Sequence, residues 1–94
     1  MSYGVVVTDE ALSDFQRLPR PLQQRVEYEI RRLAGDPVRL SRPSAFPYVP
    51  AQCYRIEGSH EGGTWFITVL FRYSADETTI EIFGMPFMQI GGGS

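Results

Sequence analysis

The side chains best suited to chemistry lie in the second half of the chain, in and between alternating runs of apolar residues. Strand alternation would place Arg55 and Arg72 on one face of a sheet, together with Glu57 and Glu81. An arginine pair beside carboxylates can hold a phosphate group and assist proton transfer, or it can form cross-strand ion pairs. His60 is a candidate general acid or base, although its glycine-rich surroundings also fit a solvated turn residue. The candidate catalytic residues are therefore Arg55, Arg72, Glu57 and His60.

A second group of arginines lies in the predicted helices. Residues 17–42 contain seven arginines and three acids, a local charge of +4, whereas the segments before and after each carry −3. One interpretation is a solvated helix face with ion pairs at i,i+4 spacing, such as Arg25 with Glu29. The other is a patch that binds phosphates or an acidic partner. The candidate RNA- or partner-binding residues are Arg20, Arg25, Arg31 and Arg32.

The whole-chain composition excludes several classes of protein. The 94 residues carry a net charge of −2 with a pI near 5.3, which argues against a protein that coats nucleic acid. A hydrophobic content of 43% is enough for one core and excludes a disordered chain. We place a single domain at residues 1–88 and a flexible Gly-rich tail at 89–94. Cys53 is the only cysteine, so no intrachain disulfide can form, and we expect a small buried thiol in an intracellular protein.

Common catalytic and targeting motifs are absent from the sequence. It contains no P-loop, no dinucleotide-binding glycine pattern, no HExxH and no paired CxxC, and one histidine with one cysteine cannot form a metal cluster. We therefore expect no cofactor, no metal and no small-molecule substrate. The first ten residues lack the features of a signal peptide, and no segment approaches the ~20 apolar residues that span a bilayer. A cytoplasmic location without membrane contact is expected.

Capping residues and prolines divide the first half of the chain into elements. Thr8 is an N-cap candidate before a stripe of apolar residues at spacings of three and four. Pro19-Arg20-Pro21 interrupts the helical pattern, and Gly35-Asp36-Pro37 ends it. The predicted elements are a strand over 3–7, helices over 9–18 and 22–34, an extended connection over 38–51, and strands over 52–57, 64–73 and 79–84.

The last three strands follow from alternating apolar and polar residues. The segments 58–63 and 74–78 predict the hairpin turns between them. Phe46 and Tyr48 are expected to hold the proline-rich connection against the core. The predicted fold class is α+β, with an N-terminal strand, a two-helix hairpin and a three-stranded antiparallel meander, the helices packed on one face of a single sheet.

This order of elements and several short motifs resemble the RelE/ParE superfamily of toxins from type II toxin–antitoxin systems. The motifs are the helix TDEALSDFQRLP, the segment LAGDP, the strand CYRIEG and the hairpin end VLFRYSADETTIEIFGM. The resemblance implies a sheet with two helices on one face, a prokaryotic setting and an antitoxin that wraps the toxin. It also implies growth arrest, either by mRNA cleavage in the ribosomal A site, as in RelE-like members, or by poisoning of DNA gyrase, as in ParE-like members.

The RelE-type catalytic positions map onto this chain only in part. In the family they are rich in basic groups that orient the ribose 2′-hydroxyl and stabilise the reacting phosphate. Arg55 matches the first basic position. Glu57 and Thr68 stand where a lysine and an arginine are usual, and Gly84-Met85-Pro86-Phe87 stands where the family often has an arginine and a tyrosine.

Two functional hypotheses follow. The first is a divergent ribosome-dependent mRNA endonuclease that uses Arg55 and Arg72 with Glu57 or His60. The second is a non-catalytic binding module of the same fold, which inhibits gyrase or is an inactive toxin relative bound by an antitoxin.

Overall fold

The computed structural model describes residues 2–45, 47 and 50–92. Along the chain, its helices come after the first strand and before the other strands of a mixed sheet. The elements in chain order are β1 (Gly4–Val7), α1 (Asp9–Gln16), α2 (Arg20–Gly35), α3 (Pro37–Leu40), β2 (Arg42–Pro43), β3 (Gln52–His60), β4 (Gly63–Tyr73), β5 (Thr79–Gly84) and β6 (Phe87–Ile90).

The strands that the structure describes form one sheet in the order β1-β5-β4-β3-β2. β6 pairs with the part of β4 that β5 does not cover. β1 runs parallel to β5, whereas the other pairs are antiparallel. The predicted α+β class and the antiparallel meander of β3, β4 and β5 are confirmed, and β2 and β6 are additions that alternation did not reveal.

The two long helices begin where the sequence pattern predicts caps or prolines. Backbone N–H of Ala11 donates to Oγ1 of Thr8 at 3.3 Å, so Thr8 caps α1 as expected. α1 ends at Gln16, two residues before the predicted end. α2 begins at Arg20, two residues before the predicted start, because Pro21 is compatible with a first helical turn.

One hydrophobic core lies between the helices and the sheet. α1 packs on β5 and α2 packs on β3. Alternate residues of β4 enter this core, as the period of two predicts. Two residues expected on the buried helix faces are more open than predicted. Ile30 is half-buried, and Leu12 is 43% exposed. The buried core residues are Ala11, Leu18, Leu22, Val26, Leu33, Ile56, Trp65, Ile67, Val69, Phe71, Ile80, Ile82 and Met85.

The first hairpin turn is shorter than the predicted loop over 58–63. β3 continues to His60 and β4 begins at Gly63, which leaves two residues between them. These residues, Glu61 and Gly62, have φ of 51° and 79°. Positive φ at both central residues matches the twist of antiparallel strands, so the pairing extends almost to the turn.

Two predictions of irregular structure were wrong. The connection over 38–51 contains α3 and the two-residue strand β2, whose Arg42 pairs with Cys53. Gln89 and Ile90, assigned to a flexible tail, lie in β6, because β4 is long enough to pair with a further strand beyond β5. Phe46 and Tyr48, expected to hold the connection against the core, lie outside the described residues.

Candidate functional site on the open sheet face

The face of the sheet opposite the helices carries the sequence-predicted Arg55 and Glu57. Ile56 between them is buried in the core, so its two neighbours project to the other side. Arg55 lies opposite Thr68 on β4, and Glu57 lies opposite Phe66. Arg55 and Glu57 are thus two residues apart on one strand face, with their backbones about 7 Å apart along the strand.

Arg55 lies where two open grooves meet. A groove of about 370 Å³ extends from it over Phe66 and Thr68 to Met88 on β6. A second groove of about 470 Å³ extends from it towards Arg42 on β2. Arg55 is exposed and forms no ion pair with any residue that the structure describes. Its charge is therefore available to an anionic ligand.

Arg72 lies on the same sheet face but belongs to a different cluster. Its Nε is 3.1 Å from Oε1 of Glu81, which is its direct neighbour on β5. Its guanidinium carbon is 4.3 Å from the centre of the Phe83 ring. Arg72 is four residues along β4 from Thr68, about 13 Å, so it does not converge with Arg55. The cross-strand ion pair considered from the sequence is the arrangement found.

His60 is also separated from Arg55. It is the last residue of β3, and strand alternation puts it on the same side as Ile56, towards the helices. Its Nε2 is 3.7 Å from Oε1 of Glu61. Of the predicted catalytic residues, the structure thus brings together only Arg55 and Glu57.

Two of the α2 arginines, each about half exposed, form ion pairs with the buried carboxylate of Glu29. Nε of Arg25 donates to Glu29 Oε2 at 2.9 Å, Nη1 of Arg32 donates to Oε1 at 3.0 Å, and the hydroxyl of Tyr54 donates to Oε1 at 2.6 Å. The Glu29 side chain is only 6% exposed. Burial acts to raise the pKa of Glu29, but the hydrogen bonds and the two cations outweigh it and lower the pKa. Burial, together with Glu29, raises the pKa of Tyr54. The Tyr54–Glu29 hydrogen bond therefore connects β3 to α2, and Arg25 and Arg32 compensate the charge of the buried carboxylate.

Arg20 and Arg31 are the more open members of the α2 set. Both are exposed, and neither forms an ion pair with the described residues. Arg31 follows Arg20 by eleven residues, which is about three full turns of an α-helix. Both arginine side chains therefore project from the same side of α2. That side is roughly opposite Leu22 and Leu33, which face the core.

Arg42 was not among the candidates, although it lines a groove together with Arg55. It is exposed and has no ion-pair partner among the described residues. A two-residue strand before proline-rich sequence has no detectable alternation, so nothing in the pattern showed that Arg42 reaches the sheet. Cys53, opposite it, is half-buried rather than buried as expected.

An apolar groove of about 340 Å³ lies on the helix side, between α1, α2 and β1. Val7 and Leu12 in this groove are 40% and 43% exposed. Glu27 and Arg31 provide its charged rim. Apolar side chains left open together in a groove often mark a site for another protein. We define the apolar groove as Val7, Leu12, Phe15, Ile30 and Met85.

The described residues contain no cluster of three metal-ligating side chains. No helix among them is long and apolar enough to cross a membrane.

These features define a small α+β domain with two long helices on one face of a mixed sheet and arginines on the other. The chain has the fold of RelE toxins. The RelBE2 toxin–antitoxin complex of Mycobacterium tuberculosis contains a chain that is 22% identical, with a TM-score of 0.72 over 94% of this chain and 100% of that chain. The intact RelBE complex of E. coli gives 12% identity and a TM-score of 0.61 over 99% of each chain.

An archaeal relative of this fold is also similar. The RelE–RelB complex of Pyrococcus horikoshii OT3 gives 18% identity and a TM-score of 0.54 over 90% of this chain and 93% of that chain. No protein-family model matches the chain, and no curated protein matches its sequence. The RelE-like fold expected from the sequence is therefore confirmed through structure rather than through sequence identity.

Proposed function

We propose that this protein is the toxin of a toxin–antitoxin pair in a prokaryotic cytoplasm and that it arrests growth. The observation that supports the proposal most strongly is the match of fold over nearly the whole of both chains to RelE structures solved as complexes with antitoxins. The apolar groove supports it further, because its open side chains suit a partner that covers them. The antitoxin would bind there.

The arrest would come from mRNA cleavage on the ribosome. Arg55 would bind the scissile phosphate and stabilise the extra negative charge that it gains in the transition state. Glu57 would accept the proton of the ribose 2′-hydroxyl. The 2′-oxygen then bonds to phosphorus, the bond to the 5′-oxygen breaks, and water protonates that leaving oxygen. The spacing of about 7 Å between the two residues suits a phosphate and an adjacent ribose of one nucleotide.

Growth arrest without catalysis is a second candidate function, and two features of the site favour it. Thr68 faces Arg55 where another cation would help, and Arg72 is already paired with Glu81. A binding module that inhibits gyrase, or an inactive relative held by an antitoxin, needs no assembled catalytic residues.

Inducible expression in bacteria distinguishes these functions. The wild-type chain should stop growth and the incorporation of labelled methionine, and Arg55→Ala should restore both, because loss of one transition-state donor costs on the order of 100-fold in rate. Arg20→Ala, an exposed arginine on α2, is the matched control and should remain toxic. Arg72→Ala should also remain toxic.

Three other outcomes would contradict parts of the proposal. An Arg55→Ala chain that still blocks translation would exclude the assigned role of Arg55. Arrest accompanied by loss of plasmid supercoiling, with translation intact at first, would favour the gyrase hypothesis. A wild-type chain that leaves growth unchanged would contradict the toxin assignment.

A further inference from the structure

β1 lies at one edge of the sheet and has only β5 as a neighbour among the described strands. All four of its residues, Gly4–Val7, are exposed, and Val5, Val6 and Val7 are 39%, 50% and 40% exposed. Three consecutive valines favour strand pairing, because branched side chains pack well on a pleated surface. The edge is therefore an open strand of apolar residues.

The sequence of β1 has none of the features that keep a sheet edge from pairing with another chain. Residues 4–8 contain no charged residue and no proline. The opposite edge is protected, because β2 is only two residues long and consists of Arg42 and Pro43. Charges, prolines and short strands are the common means of such protection. Their absence from β1 indicates an edge that accepts a further strand.

The hydrogen bonds to β5 show which backbone groups of β1 remain open. The N–H groups of Gly4 and Thr8 each donate to a carbonyl in or next to β5, both at 2.9 Å. Backbone groups alternate in direction along a strand, so those of Val5 and Val7 face away from β5. The edge thus presents two N–H and two C=O groups, placed symmetrically on either side of Val6.

We propose that two copies of this chain pair through β1 about a two-fold axis, with the strands antiparallel and the two Val6 residues opposite each other. In this register Val5 of each copy faces Val7 of the other, and four hydrogen bonds satisfy the open backbone groups of both chains. Gly4 faces Thr8 of the second copy, and the absence of a side chain at Gly4 leaves room for the threonine. The inference does not depend on the proposed toxin function.

The valine side chains complement their own copies in this register. Val5 and Val7 project to the helix side, because they lie opposite the buried Ile80 and Ile82 of β5. Val7 belongs to the apolar groove, so Val5 of the second copy lies at the mouth of that groove. Cross-strand pairs of branched residues stabilise an antiparallel ladder, and no like charges oppose each other over residues 4–8. The edge therefore matches a second copy of itself in backbone groups, side chains and charge.

Sedimentation velocity of the purified full chain over a wide range of concentrations measures this pairing. The mass should rise from that of one chain to that of two, reversibly, because a four-residue strand pair forms a small interface. Val5→Pro should abolish the dimer, since proline removes an N–H that faces the second copy and leaves the hydrogen bonds to β5 in place. Val6→Thr keeps the branched side chain and the N–H, so it is the matched control and should dimerise. Circular dichroism confirms that each variant is folded.

Disulfide crosslinking tests the register and does not depend on the folding of Val5→Pro. In a Cys53→Ser background, Val6→Cys should crosslink to its own copy on mild oxidation, because Cα atoms of such an opposed pair are about 4.5 Å apart. Val5→Cys is the control and should not crosslink, since the two copies of Val5 lie diagonally, about 7–8 Å apart.

A chain that stays monomeric at every concentration overturns the proposal, and so does equal crosslinking of the two cysteine variants. If the free chain is monomeric and Val5→Pro escapes neutralisation by the antitoxin while Val6→Thr does not, the edge binds a strand of the antitoxin instead. Dimerisation without growth arrest would contradict the toxin assignment and leave the pairing of β1 established.

Discussion

Glu29 shows how a single residue can decide what its neighbours are available for. On α2 it accepts hydrogen bonds from Arg25, Arg32 and Tyr54, so the two arginines that sequence indicates as binding residues are engaged in ion pairs within the helix. Helical spacing does predict the pair of Arg25 with Glu29, but not Tyr54, which arrives from β3. The carboxylate needs these partners because a buried charge without them is strongly unfavourable.

Replacing this carboxylate by an amide tests its contribution at the residue scale. Glu29→Gln should lower the free energy of unfolding by about 1–2 kcal/mol at neutral pH, since charged hydrogen bonds become neutral ones. The pKa of Glu29 lies below the ordinary value of 4.5. A carboxylate with a lowered pKa stabilises the fold fully above its unfolded pKa, and this contribution is lost as the pH falls through the folded pKa.

The difference between the wild type and Glu29→Gln should therefore be constant above about pH 5 and shrink below 4.5. Urea unfolding followed by circular dichroism at several pH values measures it. Glu27→Gln, an exposed glutamate on the same helix, is the control and should change stability little at any pH. A pH-independent difference for Glu29→Gln would contradict the lowered pKa.

At the scale of elements, the hairpin between β3 and β4 departs most clearly from expectation. A glycine-rich stretch suggested a loop, but the strands pair as far as His60 and Gly63. The short turn requires left-handed backbone at Glu61, a conformation that is unfavourable for a residue with a Cβ. The strand pairing on either side of the turn, which extends to His60 and Gly63, compensates for the backbone strain at Glu61.

Glu61→Gly should relieve that strain and raise the free energy of unfolding by about 0.5–1 kcal/mol. Glu61→Gln removes the same charge, and with it the contact to His60, but keeps the side chain, so it should leave stability nearly unchanged. Urea unfolding of both variants separates backbone from charge effects. Equal stabilisation by the two substitutions would show that charge, rather than φ, is responsible.

At the scale of the whole molecule, the two sides of the sheet have different chemistry. The helix side ends in the apolar groove, and the open side carries Arg42 and Arg55 beside the apolar residues Phe66, Met88 and Ile90. A net charge of −2 therefore conceals an apolar groove on one side of the molecule and unpaired arginines on the other. An antitoxin in the groove would leave the open sheet face with Arg55 uncovered unless it also extends around the sheet.

Leu12→Asp tests the groove as the antitoxin site. The substitution should leave the fold and growth arrest intact, because Leu12 is 43% exposed, but the antitoxin, tested as the product of an adjacent gene, should no longer neutralise the arrest. Val38→Asp alters an apolar residue on α3 that is 72% exposed and should be neutralised normally. Full neutralisation of Leu12→Asp would place the antitoxin elsewhere.

The sequence by itself determined the elements that have strong local signals. Alternation identified β3, β4 and β5, and the Thr8 cap and the prolines identified the two long helices. Together they predicted an α+β fold, and the RelE type was implied by the resemblance of motifs and element order to that family. Arg55 and Glu57 could be assigned to the open face because alternation depends only on neighbours in the chain.

Only the tertiary structure decided which charges are free. Strand register and packing between distant segments bring Arg42 beside Arg55 and pair Arg72 with Glu81. The same packing brings the Tyr54 hydroxyl to Glu29. The additional strands β2 and β6 are likewise formed by pairing with β3 and β4 rather than by their own sequences. Such contacts join residues far apart in the chain, and local periodicity carries no information about them.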